Sequence, residues 1–324
     1  MTTSHPATGR TPYTARTPED LLAAVPVVLG FRPRESIVLL TFGAVRPFHA
    51  RVDLPATQTE ADSTAQQLLE PALRHGVRSV AVLVFTGNDR AGARAGRAVV
   101  RAFTRAGIDV VDAIRAHEGR WYVASGPRGD VPLRGVPYDV SAHPFAAQAV
   151  LEGRVTHDSR EDLAASLAPR PAAVRAVLEA VVAMPGGESS PQVEGRWVAA
   201  LVARHVEEGT SPTDDEVARL VVGTLDVPVR DAAWGLMARE GADRHVRFWV
   251  DVVRRTPDAF LADPAALLAF AAWLSGHGAL AWCAVDRCED VARGHRLAGY
   301  IAHVLTRAIP PTVWEDVQRD PAAG

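Results

Sequence analysis

Two apolar runs, at 36–42 and 79–85, constrain this 324-residue chain more than any other feature. A strand with one face in water alternates apolar and polar side chains, whereas a nearly continuous run belongs to a strand covered on both faces. Such strands need helices against their sheet, and helical patterns stand around them. Ahead of the first run, Thr17-Pro18-Glu19-Asp20 starts a helix, with Thr17 as N-cap, Pro18 at the first helical position and Asp20 in the capping-box position. That helix carries Leu21, Leu22 and Val25, and Pro26 and Pro33 bracket its end. The spacing then predicts a strand at 47–54, a helix at 59–75, a helix at 93–105 after the second run, and strands at 108–114 and 120–123. This order predicts a mixed sheet with helices packed against it, its parallel part arising from the two helical crossovers.

Residues 126–141 are dense in Gly, Pro and Asp and read as a linker. Beyond them nearly every segment is rich in Ala, Leu and Val at helical spacing, with Ser159 before Asp162 and Thr213 before Glu216 as cap signals. The expected fold class is an α/β mixed-sheet N-terminal domain followed by an all-helical C-terminal domain. Its expected boundaries are a disordered lead-in at 1–16, the α/β domain at 17–125, the linker at 126–141 and the helical domain at 142–320. Tryptophans at 197, 234, 249, 273, 282 and 314 show no fixed period, so a regular solenoid is not expected. The Pro/Gly/Ser cluster at 185–191 reads as an interhelical loop.

The stretch 264–285 carries no formal charge and is long enough to span a bilayer. Ser275-Gly276-His277-Gly278 interrupts it midway, which suits the turn of a buried helical hairpin rather than a spanning helix. The polar lead-in lacks the apolar core of a secretory signal. Cys283 and Cys288 lie five apart in a helical pattern, where neither spacing nor direction suits a disulfide. A cytoplasmic protein is expected.

Composition excludes several chemistries. All 35 basic residues are arginine, and Asn88 is the only asparagine, a bias that points to a GC-rich genome. Schiff-base formation, pyridoxal phosphate anchoring, a lysine general base and a P-loop lysine all need an amine this chain lacks. A formal charge of −3 gives no global pull toward nucleic acid or anionic lipid.

The polar candidates fall into three groups. Arg51 and Asp53 share one face of the second strand, and Arg32, Arg34 and Glu35 sit in the turn before the first. They form either an ion-pair network that fixes the turn or an anion pocket built from arginine forks. The segment Thr86-Gly87-Asn88-Asp89-Arg90-Ala91-Gly92-Ala93-Arg94 follows a buried strand and opens a helix, where backbone N–H groups bind anions, but its glycines match no phosphate-binding fingerprint. Arg94, Arg97, Arg101 and Arg105 continue at helical spacing, a pattern whose usual meaning is a solvated basic face. Distally, His277 with Asp286 and Arg287 is either a capped hairpin turn or a neutral-pH titrating group. His157-Asp158, and His205 with Glu207 and Glu208, match no metal-ligand spacing, and Ser36, Ser125 and Ser275 lack a nucleophile elbow. No metal and no cofactor are expected.

Two blocks carry a resemblance. The first is 21–40 with Ala50-Arg51-Val52-Asp53-Leu54-Pro55. The second is Ala272 through Asp286-Arg287, followed by Ala308-Ile309-Pro310-Pro311 and Trp314. In this order they resemble a family of uncharacterised proteins of high-GC Gram-positive bacteria that carries only a domain-of-unknown-function label. The resemblance implies no activity. Members of that family often have a cysteine-rich stretch where this chain has Ser125-Gly126-Pro127-Arg128-Gly129-Asp130, so any metal role resting on those thiols does not extend here.

The expectation for function is a binding or protein-interaction module without established catalysis, its partner a protein or a small anionic ligand, with neither nucleic acid nor membrane expected. The alternative is an enzyme acting on a small anionic substrate between the two domains. There Arg32, Arg34 and Arg51 would orient the anion, and Glu35, Asp53 or His277 would move protons.

Overall fold

The computed structural model describes residues 14–44, 48–127, 129–151, 154–184 and 190–319. It separates into two compact units, Met1–Arg160 and Glu161–Gly324. Most of the expected lead-in, and 185–189 of the expected interhelical loop, lie outside the described residues.

The first unit opens with α1 (Pro18–Leu29), closed at its N-terminus by the Thr17/Asp20 capping box and at its C-terminus by Gly30 at φ 78°. It ends between the two bracketing prolines, with Pro26 inside the helix. The proline removes one backbone bond, a cost of about 3 kcal/mol that burial of Leu21, Leu22, Val25 and Val27 offsets. There follow β1 (Ser36–Phe42), β2 (His49–Asp53), α2 (Gln58–Arg74), β3 (Ser79–Phe85), α3 (Asp89–Arg105), β4 (Asp109–His117), β5 (Arg120–Val123), β6 (Val136–Pro137) and α4 (Pro144–Leu151). Helix α3 begins four residues earlier than the spacing predicts, because Asn88 caps it by accepting from the Ala91 N–H at 3.0 Å. Strand β4 runs three residues past its expected end. The unexpected β6 pairs with β5 inside the segment read as a linker, and two residues are too few to show a period.

The six strands lie in the order β2-β1-β3-β4-β5-β6. Only β3 and β4, joined through α3, are parallel neighbours. The α2 crossover carries the chain from β2 to β3 over the intervening β1, which pairs antiparallel with both. Period-two alternation then divides the core. Ile37, Leu39, Val80, Val82 and Val84 face α2 and α3, packing on Ala65, Leu68, Ala98, Val99 and Phe103. Val38, Leu40, Phe42, Ala81 and Leu83 face the other way, toward Leu21, Leu22 and Val25 of α1 and Phe145 of α4. Both central strands are thus covered on both faces, as their unbroken runs require.

The second unit is helical throughout its described residues: α5 (Arg160–Ala165), α6 (Pro171–Ala183), α7 (Pro191–Glu208), α8 (Asp214–Gly223), α9 (Val227–Gly235), α10 (Ala242–Arg255), α11 (Ala262–Leu274), α12 (Gly278–Val291), α13 (Arg296–Thr306) and α14 (Thr312–Arg319). Every residue of α11 from Pro264 to Leu274 is buried, and α10, α12 and α13 pack around it. A helix apolar on all sides belongs at the centre of a helical core. The uncharged stretch is therefore the expected hairpin, turned at Gly276 with φ 77°, where the His277 N–H reaches back to the Ala272 carbonyl at 2.8 Å. Among the described residues no helix is long and apolar enough to cross a membrane.

Candidate functional site

Polar groups converge where β3 and β4 end and β1 begins. Glu35, in the turn before β1, takes φ 37°, a left-handed conformation that costs a non-glycine residue about 1–2 kcal/mol. It is held at both ends. Its carbonyl accepts from the Leu54 N–H at 2.9 Å, and its carboxylate accepts from the Thr86 hydroxyl at 2.8 Å. Thr86 Oγ1 in turn accepts from the Asn88 N–H at 3.1 Å. Arg51 pairs with Asp53 at 2.5 Å and donates to the Arg34 carbonyl at 3.4 Å. The structure thus brings Arg34, Glu35, Arg51 and Asp53 to one end of the sheet. Arg32 is exposed, and its guanidinium faces Asp158 at 3.7 Å, while its N–H donates to the His157 carbonyl.

The group the sequence spacing missed is Arg115, a buried arginine in the unexpected extension of β4. It donates to the Thr86 carbonyl at 3.1 Å, pairs with the Asp89 carboxylate and lies 4.0 Å over the Tyr122 ring. Two glycines make room for this end of β4. A Cβ on Gly92 would stand 2.6 Å from Arg115 Cδ, and one on Gly87 would stand 2.8 Å from the His117 ring. These close approaches account for glycines that match no phosphate loop. The Ala91 N–H at the start of α3 is taken by Asn88, and the carboxylates of Glu35 and Asp89 stand at the same end. An incoming anion would meet negative charge there. Farther along α3, Arg94 donates to the Pro55 and Ala56 carbonyls, and Arg101 pairs with Asp62 at 2.7 Å.

In the second unit His277 is the N-cap residue of α12, part-exposed, with Nε2 3.9 Å from Asp243 Oδ1. Arg287 faces Asp258 at 3.9 Å. His205, buried on α7, makes a more suggestive array, with Nδ1 2.7 Å from Thr210 Oγ1 and Nε2 3.4 Å from the Glu216 carboxylate. Superficially this is nucleophile, base and orienting acid. Arg204 Nη2, however, lies 3.0 Å from Nε2 and can only donate. Nε2 therefore accepts, Nδ1 carries the proton, and that proton points at the threonine oxygen instead of leaving room to take one. The same guanidinium pairs with Glu216, so the array ties α7 to the capping box of α8.

Cys283 and Cys288 are buried and unbridged, and burial pushes the Cys288 thiol up to about 12, far from a reactive thiolate. His245 on α10 is likewise buried, and desolvation lowers its pKa to about 4. Among the described residues no three His, Cys, Asp or Glu side chains are grouped so as to hold a metal ion.

Neither a curated protein nor a solved structure matches the chain. A family described as "Domain of unknown function (DUF4192)" matches residues 18–312, nearly the whole length over which both units are built. The chain therefore belongs to the DUF4192 family.

Proposed function

We propose that the protein is a cytoplasmic binding module that contacts another protein through its helices and performs no catalysis of its own. One observation carries this reading: α6 is almost wholly apolar, yet Val177 is its only buried residue, with Leu178 45% and Val182 81% exposed. The two lie one helical turn apart on one face, and contiguous apolar surface open to water marks an interaction site. The polar groups support the same reading, because Glu35, Arg51, Asp53, Arg115 and His205 are each tied by hydrogen bonds or ion pairs to neighbours within the chain. Two buried, unbridged thiols suit a reducing compartment.

Native mass spectrometry of the protein purified gently from its own source tests this. A stoichiometric protein partner, lost in a folded L178D/V182D variant, is the expected result. Turnover of a small molecule abolished by one polar substitution in a folded chain would overturn the proposal.

A further inference from the structure

The outer face of the first unit carries a second surface, and its chemistry selects a partner. Helices α2 and α3 enclose an open groove of ≈ 790 Å³ whose floor includes Ala65, Ala98 and Ala102. Methyl side chains at facing positions leave a trough where larger ones would interlock, so a third helix can approach closely. The rim is basic. Arg97, Arg101 and Arg105 recur one turn apart along α3, and Arg101 and Arg105 line the groove. Asp62 is the one carboxylate lining it. That group is already engaged by Arg101 at 2.7 Å and by Gln58 at 3.1 Å, and Arg105 lies within its field as well. Arg97 is exposed and has neither hydrogen bond nor ion pair within the described residues. The rim therefore holds more positive charge than the chain neutralises, although the chain as a whole is at −3.

We infer that this groove receives an acidic helix of a partner protein. The small alanines beneath it, themselves packed on the sheet, let the helix approach closely, and carboxylates spaced three or four residues apart would reach Arg97 and Arg105. A nucleic acid fits less well, because the groove offers no aromatic ring on which a base could stack. The inference rests on the binding-module reading and names the partner's chemistry at a surface separate from α6.

Photocross-linking of the full chain in cells of its own source separates the two claims. One variant carries benzoylphenylalanine in place of Gln66, in the groove, and another carries it in place of Ala172, exposed on α6. The expected result is a Gln66 adduct whose cross-linked segment has Asp or Glu at helical spacing. Its yield should fall about tenfold in a folded R97E/R105E background and stay unchanged in R134E, because reversing rim charges weakens an electrostatically guided encounter. An adduct to nucleic acid, to a second copy of the chain, or one indifferent to R97E/R105E overturns the inference, as does no adduct at Gln66. If Ala172 still captures a protein in that case, the binding-module reading survives alone; if neither position does, both fall.

Discussion

Acidification should destabilise the second unit through His245. The residue is only 7% exposed, and desolvation by burial lowers its pKa from 6.5 to about 4. The folded state therefore keeps the imidazole neutral in a range where the unfolded chain protonates it. The unfolded state then binds more protons, so stability is fully present above the unfolded value of 6.5 and is lost as pH falls toward about 4. A shift of roughly 2.5 units at about 1.4 kcal/mol each amounts to about 3–4 kcal/mol, a large fraction of a typical domain's stability. Six of the seven tryptophans lie in this unit, so urea unfolding followed by tryptophan fluorescence reports on it. Measured at intervals from pH 7 to 4.5, the native chain should lose stability steeply while His245→Leu, which cannot titrate, stays nearly flat. The window matters, because Glu216, whose carboxyl hydrogen bonds from Thr213 and Arg204 hold below its ordinary 4.5, contributes its own loss only at lower pH. Equal slopes for the native and His245→Leu chains between pH 6.5 and 4.5 would refute the reasoning.

Three further outcomes follow from the geometry. Glu35→Gly and Glu35→Ala both lose the contact to Thr86, so their difference isolates the backbone term; urea midpoints should show the glycine variant more stable by about 1 kcal/mol. Gly92→Ala places a methyl 2.6 Å from Arg115 Cδ and should cost about 1–3 kcal/mol in chemical denaturation followed by circular dichroism. Neither Cys283 nor Cys288 should react with Ellman's reagent at pH 8 in the native chain, and both should react at once when urea is added.

The elements that burial dictates were the legible ones. Strands β1, β3 and β5 occupy the expected residues, and for β1 and β3 the reason is that coverage on both faces leaves no room for a polar position. Strand order was not legible, because nothing local to β1 distinguishes a neighbour of β2 alone from a strand inserted between β2 and β3. Arg34, Glu35, Arg51 and Asp53 could be grouped from the turn and the period of two alone. Arg115 could not, since a charge within a strand argues for the strand's end until Gly92 is seen to open space for its methylenes. The His205 array was equally hidden: Thr210 and Glu216 belong to the far side of a loop, and only the Arg204 contact fixes which nitrogen holds the proton.

The insertion of β1 between β2 and β3 governs how the chain must fold. Ser36 pairs with Phe85 and Phe42 with Ser79, so the central pair of the sheet can close only after the whole of β2 and α2 has been synthesised between its two strands. Loop closure of that length is unfavourable until the long-range contacts form, which slows the search for the native topology. On the ribosome, the apolar stretch from Ile37 to Leu40 emerges well before its partner strand, and β2 alone can shield only one of its edges. During that interval the stretch is open to misassociation; α1, already synthesised and capped, can cover Val38 and Leu40, and α2 follows to cover Ile37 and Leu39.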